Sequence, residues 1–249
     1  MSAVIGIVIV NYNGAAYQSS CIQSILDSKY KNFVIIVVDN NSSDNSMQML
    51  DEFVSENIVK IFCPENYGVA KGNNIGIQKS KELGCKYTLL LNNDTVLTEE
   101  LLSKLIVEAG QGEQVIVPKI YYYGTQVIWY GGGVLSHLKC TSLHLNFRKT
   151  DENIQFQKYY EYAPTCCMLI NNDVFDSVGL FDENYFLYFD DTDFCFRLKL
   201  NGINIRFIED AVIFHKVSMS TGGEQSNSKV QIYYNNRNRF YFYNKFKKY

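Results

Sequence analysis

The stretch Ile5-Gly6-Ile7-Val8-Ile9-Val10-Asn11-Tyr12-Asn13-Gly14 changes character at Asn11, where an apolar run gives way to polar residues and a glycine. A run of β-branched residues without polar alternation is typical of a strand that is covered on both faces. Phe33–Val38 (FVIIVV) is a second run of this kind, and the leucine-rich Tyr87–Leu91 is predicted to be a further strand. Polar residues follow each run, so the sequence predicts buried strands that all end in polar loops.

Helical spacing of apolar residues between these runs predicts an alternation of strands and helices. Such an alternation favours an α/β fold with a Rossmann-like, mostly parallel central sheet flanked by helices. The predicted helices of the first half cover Tyr17–Leu26, Ser43 or Asp44 to about Val54, Val69–Leu83, and Glu99–Ala109 with Thr98 as the cap.

The second half of the chain is less regular. Its predicted strands are Val115–Val117, Val127–Tyr130, Cys166–Ile170, Ile203–Phe207 and Ala211–Phe214. Helices are expected from Asn172 or Asp173, over Thr192–Leu200, and from Lys229 onward. The polar stretch His137–Tyr162 is predicted to be a loop or an irregular hairpin.

Length and composition favour one domain over residues 1–249. The chain is 47% hydrophobic and 20% charged, which is enough apolar material for one large core. No linker-like segment divides it. The formal net charge of −3 argues against a general nucleic-acid binder, because such proteins usually carry a basic face.

The seven cysteines indicate a reducing compartment. Their number is odd, their spacing is irregular and no CxxC pair occurs, so neither a zinc site nor a disulfide framework is expected. The N-terminal apolar run has no basic region before it and is interpreted as a strand rather than a signal peptide. No run of 18 apolar residues occurs. We therefore expect a cytoplasmic protein.

Three polar clusters stand where early strands end: Asn11–Gly14, Asp39–Ser43 and Asn92–Asp94. In open α/β sheets, ligands bind outside the carboxyl ends of the strands. Asn, Asp and Gly also simply form turns, and for any one loop that explanation is as good. For all three together it is weaker, so the sequence indicates a shared ligand crevice.

Asp94 is a candidate ligand for a hard divalent cation, Mg²⁺ or Mn²⁺. One carboxylate makes a weak site alone, but Mg²⁺ often completes its shell with substrate phosphates and water. The alternative is a capping aspartate before the next helix.

The glycine-rich stretch Asn66–Gly76 could cradle an anion at a helix N-terminus, with Lys71 adding charge. A solvated surface lysine is an equally good interpretation of Lys71.

Phe189-Asp190-Asp191-Thr192-Asp193 places three acids within four residues, among aromatic residues. Mutual repulsion and lost solvation both raise carboxyl pKa values, which favours proton acceptance near neutrality. The alternative is that Asp190 or Asp191 caps the following helix.

His215 follows a strand. A lone histidine is more often structural, and a role as a ligand would require Asp94 and a diphosphate beside it.

Taken in order, these motifs resemble those of the inverting family-2 glycosyltransferases, particularly the bacterial rhamnosyltransferase-like branch. The resemblance covers almost the whole chain and is far more specific than any single motif. It is carried by Val8–Gly14, Val38–Asp44, Asn66–Gly76, Leu90–Asp94, Cys167–Ile170, Val178–Glu183, Tyr188–Arg197 and His215.

The resemblance implies a GT-A fold, a nucleoside-diphosphate-sugar donor and a divalent cation. It implies that residues 1–110 are mainly the nucleotide-binding half, and that residues 111–249 form a smaller acceptor-binding part with a C-terminal helix. Asn92-Asn93-Asp94 matches the DXD-type metal motif, but Asn92 stands where the first Asp would be. The implied nucleotide-sugar contacts are Asn11, Tyr12, Asn13, Asp39, Asn66, Lys71, Asn74, Asn92 and Asn93.

The resemblance also implies roles for the remaining polar motifs. Asp191 matches the catalytic base, which removes the acceptor proton during an inverting displacement. His215 matches a position that can complete a metal site with Asp94. Asp190 and Asp193 belong to the same acidic motif, with a role toward the acceptor or in the structure. The donor is expected to be a dTDP- or UDP-sugar, and the acceptor a glycan or a lipid-linked glycan of the cell surface.

Two other functions remain open at this point. A nucleotidyltransferase that makes sugar nucleotides shares the crevice, but its usual glycine-rich, basic loop after the first strand is absent. A catalytically silent sugar- or nucleotide-binding module is the second alternative, against which the Asp94, Asp191 and His215 set argues. The aromatic and lysine-rich tail Tyr241–Tyr249 either packs as a helix or contacts the inner face of the plasma membrane.

Overall fold

The computed structural model describes residues 5–53, 57–136, 139–217 and 229–249. The strands are β1 (Ile5–Asn11), β2 (Phe33–Asp39), β3 (Ile58–Phe62), β4 (Tyr87–Leu91), β5 (Thr95–Leu97), β6 (Val115–Tyr122), β7 (Ile128–Tyr130), β8 (Gly133–Ser136), β9 (Thr141–His144), β10 (Tyr159–Tyr160), β11 (Cys167–Asn171) and β12 (Ile205–His215). The helices are α1 (Gln18–Leu26), α2 (Ser46–Met49), α3 (Gly68–Glu82), α4 (Leu101–Gly110), α5 (Asp173–Val178), α6 (Asp190–Leu200) and α7 (Lys229–Phe246).

Ten of the described strands form one mixed sheet in the order β10-β12-β6-β11-β4-β1-β2-β3, with β5 on β12 and β7 on β6. The strands β3, β2, β1 and β4 are parallel. Strand β11 is antiparallel to β4 and β6, whereas β6 and β12 are parallel to each other. Strands β8 and β9 form a separate antiparallel hairpin. The α/β prediction of a largely parallel central sheet is confirmed.

Helix α3 lies against the parallel part of the sheet at very short range. At Gly76 a Cβ atom would stand 2.1 Å from Cγ1 of Val8 in β1, and at Gly72 it would stand 2.8 Å from Cγ1 of Val10. The glycines therefore let α3 approach β1 more closely than any side chain would allow. This approach brings the N-terminal end of α3 to the edge where β1 and β2 end.

Several predicted boundaries are wrong. The helix expected up to about Val54 is a single turn, α2, followed by a 3₁₀ turn at Leu50–Glu52; Val54 itself lies outside the described residues. The two strands predicted over 203–214 are one strand, β12, with a register shift between Ile208 and Val212. Polar residues at that irregularity interrupt the apolar pattern, which is why the sequence suggests two strands.

The polar stretch predicted to be a loop or an irregular hairpin contains β9, which pairs with the preceding β8, and β10, although His137 lies outside the described residues. Gly133 begins β8. Helix α4 begins at Leu101 rather than at Glu99, with Glu100 at the cap position instead of Thr98. Helix α7 forms where the tail was predicted to be helical. Among the described helices, none has the length and apolar character needed to span a membrane.

We predict that Gly76→Ala destabilises the protein, although alanine is ordinarily the better helix former. The added methyl group collides with Val8, and overpacking of this kind typically costs about 1–3 kcal/mol. Gly110→Ala in α4 is the control, because a Cβ atom there would meet no neighbouring group within 4 Å. Urea denaturation measures both variants. A Gly76→Ala protein as stable as the Gly110→Ala protein would show that α3 does not need this close approach.

Candidate active site

The ends of β1, β2 and β4 meet around the side chain of Asn11. Asn11 and Asp39 are paired in register at the ends of their strands. The Asn11 amide nitrogen donates to Oδ1 of Asp39 at 3.0 Å, and the Asn11 oxygen accepts a bond from the Asn93 amide at 3.0 Å. Gly14 passes so close that a Cβ there would stand 2.3 Å from that oxygen. The three polar loops predicted to share a crevice therefore do lie together.

The loop after β1 is pinned to the loop after β2 by Asn13. Its side-chain oxygen accepts a bond from the Ser43 backbone N–H at 2.8 Å, and its own N–H donates to Oγ of Ser42 at 2.9 Å. Asn13 adopts a left-handed backbone conformation with φ +52°. The preceding Tyr12 is 45% exposed, in contrast to the buried Asn11. Its ring is accessible beside the Asn11–Asp39 pair.

The start of α3 is organised by Asn66 and Gly68. The Asn66 side-chain oxygen accepts a bond from the Gly68 N–H at 2.9 Å. Gly68 has φ +79°, and a Cβ there would stand 2.3 Å from the carbonyl oxygen of Phe186. The ammonium group of Lys71 lies 3.7 Å from the ring centroid of Tyr67. The glycine-rich stretch is thus a tight entry into a helix, with a cation at its first turn.

Asn74 connects α3 to the segment that leads to the acidic motif. Its amide nitrogen donates to the Phe181 carbonyl at 2.9 Å, and its oxygen accepts from the Phe181 N–H at 2.9 Å. The same nitrogen lies 3.0 Å from a Glu183 oxygen. Because Asn74 is buried, this reciprocal pair fixes the two segments to each other.

Asp94 and His215 lie side by side although they are far apart in sequence. The antiparallel pairing of β5 with β12 places His215 opposite Thr95, and the Lys216 N–H donates to the Asp94 carbonyl at 2.8 Å. This register brings Nε2 of His215 to 3.0 Å from Oδ1 of Asp94. The ring of Trp129 packs edge-on against the His215 ring, with 4.4 Å between centroids.

The chemistry of this pair fits a shared divalent cation. Both side chains are buried, and within the described residues neither Oδ1 of Asp94 nor either ring nitrogen of His215 has a hydrogen-bond partner. Their 3.0 Å contact lacks hydrogen-bond geometry, so it leaves the buried polar atoms unsatisfied. Such atoms are costly unless a ligand satisfies them. No third acidic, histidine or cysteine ligand joins them in the described part of the chain.

The acidic motif begins α6, and both oxygens of Asp191 are hydrogen-bonded. The Tyr162 hydroxyl donates to Oδ2 at 2.7 Å, and the Thr192 N–H donates to Oδ1 at 2.6 Å. The helix starts at Asp190, two residues earlier than predicted, with Phe189 at the cap position in a left-handed conformation. The alternative that Asp190 or Asp191 caps the helix is therefore wrong.

The two adjacent acids differ in their surroundings. Asp190 is buried, and its Oδ2 has no hydrogen-bond partner among the described residues, whereas Asp191 is only partly buried. Burial, with repulsion from Asp191, raises the pKa of Asp190 to about 8. Burial also raises the pKa of Asp191, against the opposing effect of the Tyr162 hydrogen bond. The raised pKa values expected from burial and mutual repulsion are present at Asp190 and Asp191.

Asp193 is occupied by basic partners. Its side chain is fully buried, with Nε of Arg197 at 2.7 Å from one oxygen and Nζ of Lys245 at 2.6 Å from the other. The Arg197 guanidinium also donates to the carbonyl of Val178 at 2.7 Å. These bonds join α6 to α7 and to the end of α5. The geometry favours the structural interpretation of Asp193.

Three aromatic side chains that the sequence does not single out lie between the Asp94–His215 pair and Asp191. The ring of His144 lies 5.1 Å from that of Trp129 and 5.6 Å from that of Tyr162. Nδ1 of His144 lies 3.1 Å from the Trp129 carbonyl, to which it donates. His144 and Tyr162 come from the polar stretch His137–Tyr162, where no periodic pattern marks them, whereas Trp129 lies in β7.

Comparison with known proteins places most of the chain in one family. The sequence profile of glycosyl transferase family 2 matches residues 6–179. The chain is 25% identical to the dTDP-rhamnosyl transferase RfbF of Shigella flexneri, over 96% of its own length and 80% of that protein. It is 26% identical to the low-salt glycan biosynthesis hexosyltransferase Agl10 of Haloferax volcanii, over 82% of its length and 65% of that protein.

Solved structures share the fold. S. aureus TarS 1-349 in complex with UDP-GlcNAc superposes with a TM-score of 0.63 at 16% identity, over 84% of this chain and 57% of that one. GalNAc-T7 with UDP, GalNAc and Mn²⁺ superposes with a TM-score of 0.71 at 15% identity, over 86% and 44%. Both are GT-A glycosyltransferases, and the GT-A fold predicted from the sequence is confirmed.

We predict that Asp190→Asn stabilises the protein increasingly as the pH rises from 5 to 8. The unfolded chain ionises Asp190 near pH 4, at about the ordinary carboxyl pKa. The folded protein keeps that proton to about pH 8, so the native form loses stability as the pH rises through this window. Asparagine does not ionise, and we expect its advantage to grow by at least about 1 kcal/mol.

Chemical denaturation at a series of pH values measures this difference. Asp173→Asn, at an exposed position in α5, is the matched control and should show no such trend. A constant stability difference between wild type and Asp190→Asn across pH 5–8 would mean that Asp190 is ionised in the folded protein.

Proposed function

The chain belongs to glycosyl transferase family 2, and we propose that it moves a sugar from a nucleoside diphosphate to a hydroxyl group of a glycan or lipid-linked acceptor, with inversion at the anomeric carbon. The product would belong to a cell-surface polysaccharide or glycoconjugate. The observation that carries this proposal is the Asn11–Asp39–Asn93 network with the Asp94–His215 pair directly beside it. One edge of the sheet thus offers polar groups for a nucleoside and ligands for the cation of its diphosphate.

We assign the donor to this edge. Asn11 and Asn13 hold the two loops, Asp39 offers its carboxylate to the nucleoside, and the accessible ring of Tyr12 suits stacking on a base. Lys71 at the start of α3 supplies positive charge toward the diphosphate. The remaining donor-side residues are Asn66, Asn74, Asn92 and Asn93. The names of RfbF and of the TarS complex support a dTDP- or a UDP-sugar alike.

Asp94 and His215 would hold a divalent cation, either Mg²⁺ or Mn²⁺. Such an ion neutralises charge that develops on a departing diphosphate. Asn92 replaces the first acid of the DXD-type motif, so the protein supplies a single carboxylate. The buried, unsatisfied atoms of the pair can serve as ligands of a cation whose remaining ligands are oxygen atoms of the diphosphate. We therefore propose that metal and nucleotide bind together.

Asp191 is the proposed catalytic base. It takes the proton of the acceptor hydroxyl while that oxygen forms a bond to the anomeric carbon, and the bond from that carbon to the diphosphate breaks on the opposite face. The raised pKa of Asp191 suits proton acceptance near neutrality. The Tyr162 hydroxyl fixes the direction of its carboxylate. Asp190, buried and protonated, leaves the negative charge of the pair to Asp191.

We expect Asp191→Asn to lower kcat at least about 10²-fold, the usual range for loss of a general base. Affinity for the nucleoside diphosphate should change less than about twofold, because the donor edge is intact. Nucleoside diphosphate release measures turnover, and calorimetry measures binding. Asp173→Asn serves again as the control. Transfer at the wild-type rate by Asp191→Asn would remove this residue from its role.

We expect Mn²⁺ and nucleoside diphosphate to raise each other's affinity. The two factors must be equal by thermodynamic linkage, and we expect each of them to be at least about tenfold. Calorimetric titration of each ligand with and without the other measures it. Asp94→Asn and His215→Ala should abolish the coupling, whereas Asp176→Asn, an exposed partner of Lys81, should retain it. Coupling that survives both site variants would place the cation elsewhere.

We further propose that α7 contacts an anionic lipid surface at the cytoplasmic side of the membrane. Residues 225–249 contain six basic residues and no acid. One side of α7 is exposed over its length, and we call it the outer face. A second copy of the chain is a poor partner for this face, because the positive charges of the two copies would repel each other. An anionic lipid surface neutralises these charges and accommodates the aromatic rings. The outer face consists of Lys229, Ile232, Tyr233, Phe240 and Tyr243, and the exposed Lys247 follows directly after the helix end at Phe246.

Serine at Tyr233, Phe240 and Tyr243 together should weaken binding to vesicles that contain phosphatidylglycerol at least about fivefold, through lost apolar contact. Binding to neutral vesicles should be weak for both proteins. Phe62→Ser, which removes an exposed aromatic ring from β3, is the control and should bind like the wild type. Cosedimentation measures the bound fraction. Equal binding of the triple variant and wild type would contradict the membrane proposal.

A further inference from the structure

The turn that precedes the acidic motif has an unusual backbone. Tyr188 has φ +65° and Phe189 has φ +69°, so two successive aromatic residues adopt the left-handed conformation. Bulky side chains rarely take this conformation, and it persists only where the surrounding structure holds it. Asp190 and Asp191 follow directly as the first residues of α6. The direction in which α6 starts therefore depends on what holds this turn.

The side chain of Asn238 in α7 holds the turn from one side. Asn238 is fully buried, and its amide nitrogen donates to the carbonyl of Leu187 at 2.8 Å and to that of Tyr188 at 2.9 Å. The Asn238 oxygen accepts a bond from Nη1 of Arg237 at 2.7 Å. This Arg237 nitrogen also donates to the Asn184 carbonyl at 2.7 Å. One amide thus binds two consecutive carbonyls of the left-handed turn.

The donor-binding helix holds the same segment from the other side. The Val69 N–H at the start of α3 donates to the Phe186 carbonyl at 2.9 Å. Gly68 has room for no side chain here, because a Cβ would stand 2.3 Å from that carbonyl oxygen. The segment 184–189 is therefore hydrogen-bonded to the start of α3 on one side and to Arg237 and Asn238 of α7 on the other.

Helix α7 does not depend on Asn238 alone for its attachment. Lys245 lies 2.6 Å from carboxylate oxygens of both Asp182 and Asp193, and the Tyr241 hydroxyl donates to Asp182 at 3.0 Å. Phe242 is buried against Phe189 and Phe196. Loss of the Asn238 amide should therefore leave α7 in place while freeing the two turn carbonyls.

We propose that Asn238 is a positioning residue for sugar transfer, which acts by holding Tyr188 and Phe189 in the left-handed turn that aims Asp191 at the acceptor. Asn238 touches no substrate. Its effect passes through the turn to the start of α6. The inference rests on the proposed role of Asp191 as base, and it assigns a catalytic consequence to a residue outside the donor edge and the acidic motif.

The first experiment separates positioning from folding. Asn238→Ala and the nearly isosteric Asn238→Asp, which lacks the N–H donor, should lower kcat at least tenfold. Affinity for nucleoside diphosphate should stay within twofold, because the donor edge does not involve this amide. Asn236→Ala is the matched control on α7, since within the described part of the chain that amide donates to the Ile232 carbonyl of the same helix. Unchanged kcat, or equal losses in kcat and nucleotide affinity, would overturn the proposal.

The second experiment tests the turn itself by rescue. Tyr188→Gly and Tyr188→Ala both remove the phenol ring, but only glycine adopts positive φ without strain. Adding Asn238→Ala should lower kcat at least tenfold in the Tyr188→Ala protein and less than threefold in the Tyr188→Gly protein. The melting temperature should follow the same order, with a smaller decrease in the glycine background. Equal effects of Asn238→Ala in both backgrounds would overturn the proposal.

The two proposals fail in distinguishable ways. If Asp191→Asn retains transfer, the base assignment fails, whereas the melting temperatures of the double variants still report whether Asn238 holds the turn. If Asp191→Asn abolishes transfer and Asn238→Ala does not lower kcat, the base assignment stands and the positioning role fails. Should Asn238→Ala alone not fold, Asn238→Asp and the glycine-background protein supply the comparison.

Discussion

The side-chain amide of Asn11 is buried at the end of β1, where both its donor and its acceptor must be satisfied by protein or ligand groups. Unpaired polar groups in such a place are costly. Asp39 and Asn93 satisfy them, and in doing so they bring the loops after β2 and β4 to the end of β1. Asp94 follows Asn93 directly, so the same bond that completes the Asn11 network also places the metal candidate.

The second half of the chain reaches this edge through β12. That strand is parallel to β6 and also pairs with β5, which begins at the residue after Asp94. The pairing carries His215 to Asp94 and packs Trp129 against its ring. The acidic motif is held separately, through Asn74 and the start of α3 on one side and through α7 on the other. The proposed site is thus assembled from distant segments by strand pairing and by side-chain amides.

The buried strands could be predicted because their apolar runs have no other stable location than a covered sheet, and their polar ends follow from the same reasoning. The start of α6 could not be predicted, since an aromatic residue in a left-handed cap is disfavoured locally and is held there by tertiary bonds. Likewise, the pairing of His215 with Asp94 depends on strand register, which single-sequence periodicity does not encode, so only the family resemblance implied it. Tyr162 and His144 come from a stretch with no pattern, so their proximity to Asp191 appears only in the fold.

Product analysis on a panel of nucleotide substrates tests the central claim, sugar transfer from a nucleoside diphosphate, most directly. The protein would be incubated with dTDP- and UDP-sugars and Mn²⁺, with and without glycan and lipid-linked acceptors. We expect release of nucleoside diphosphate from at least one donor, with a glycoside of inverted anomeric configuration as the product. Pyrophosphate release from a nucleoside triphosphate and a sugar phosphate, or nucleotide binding without any turnover across the panel, would contradict the claim.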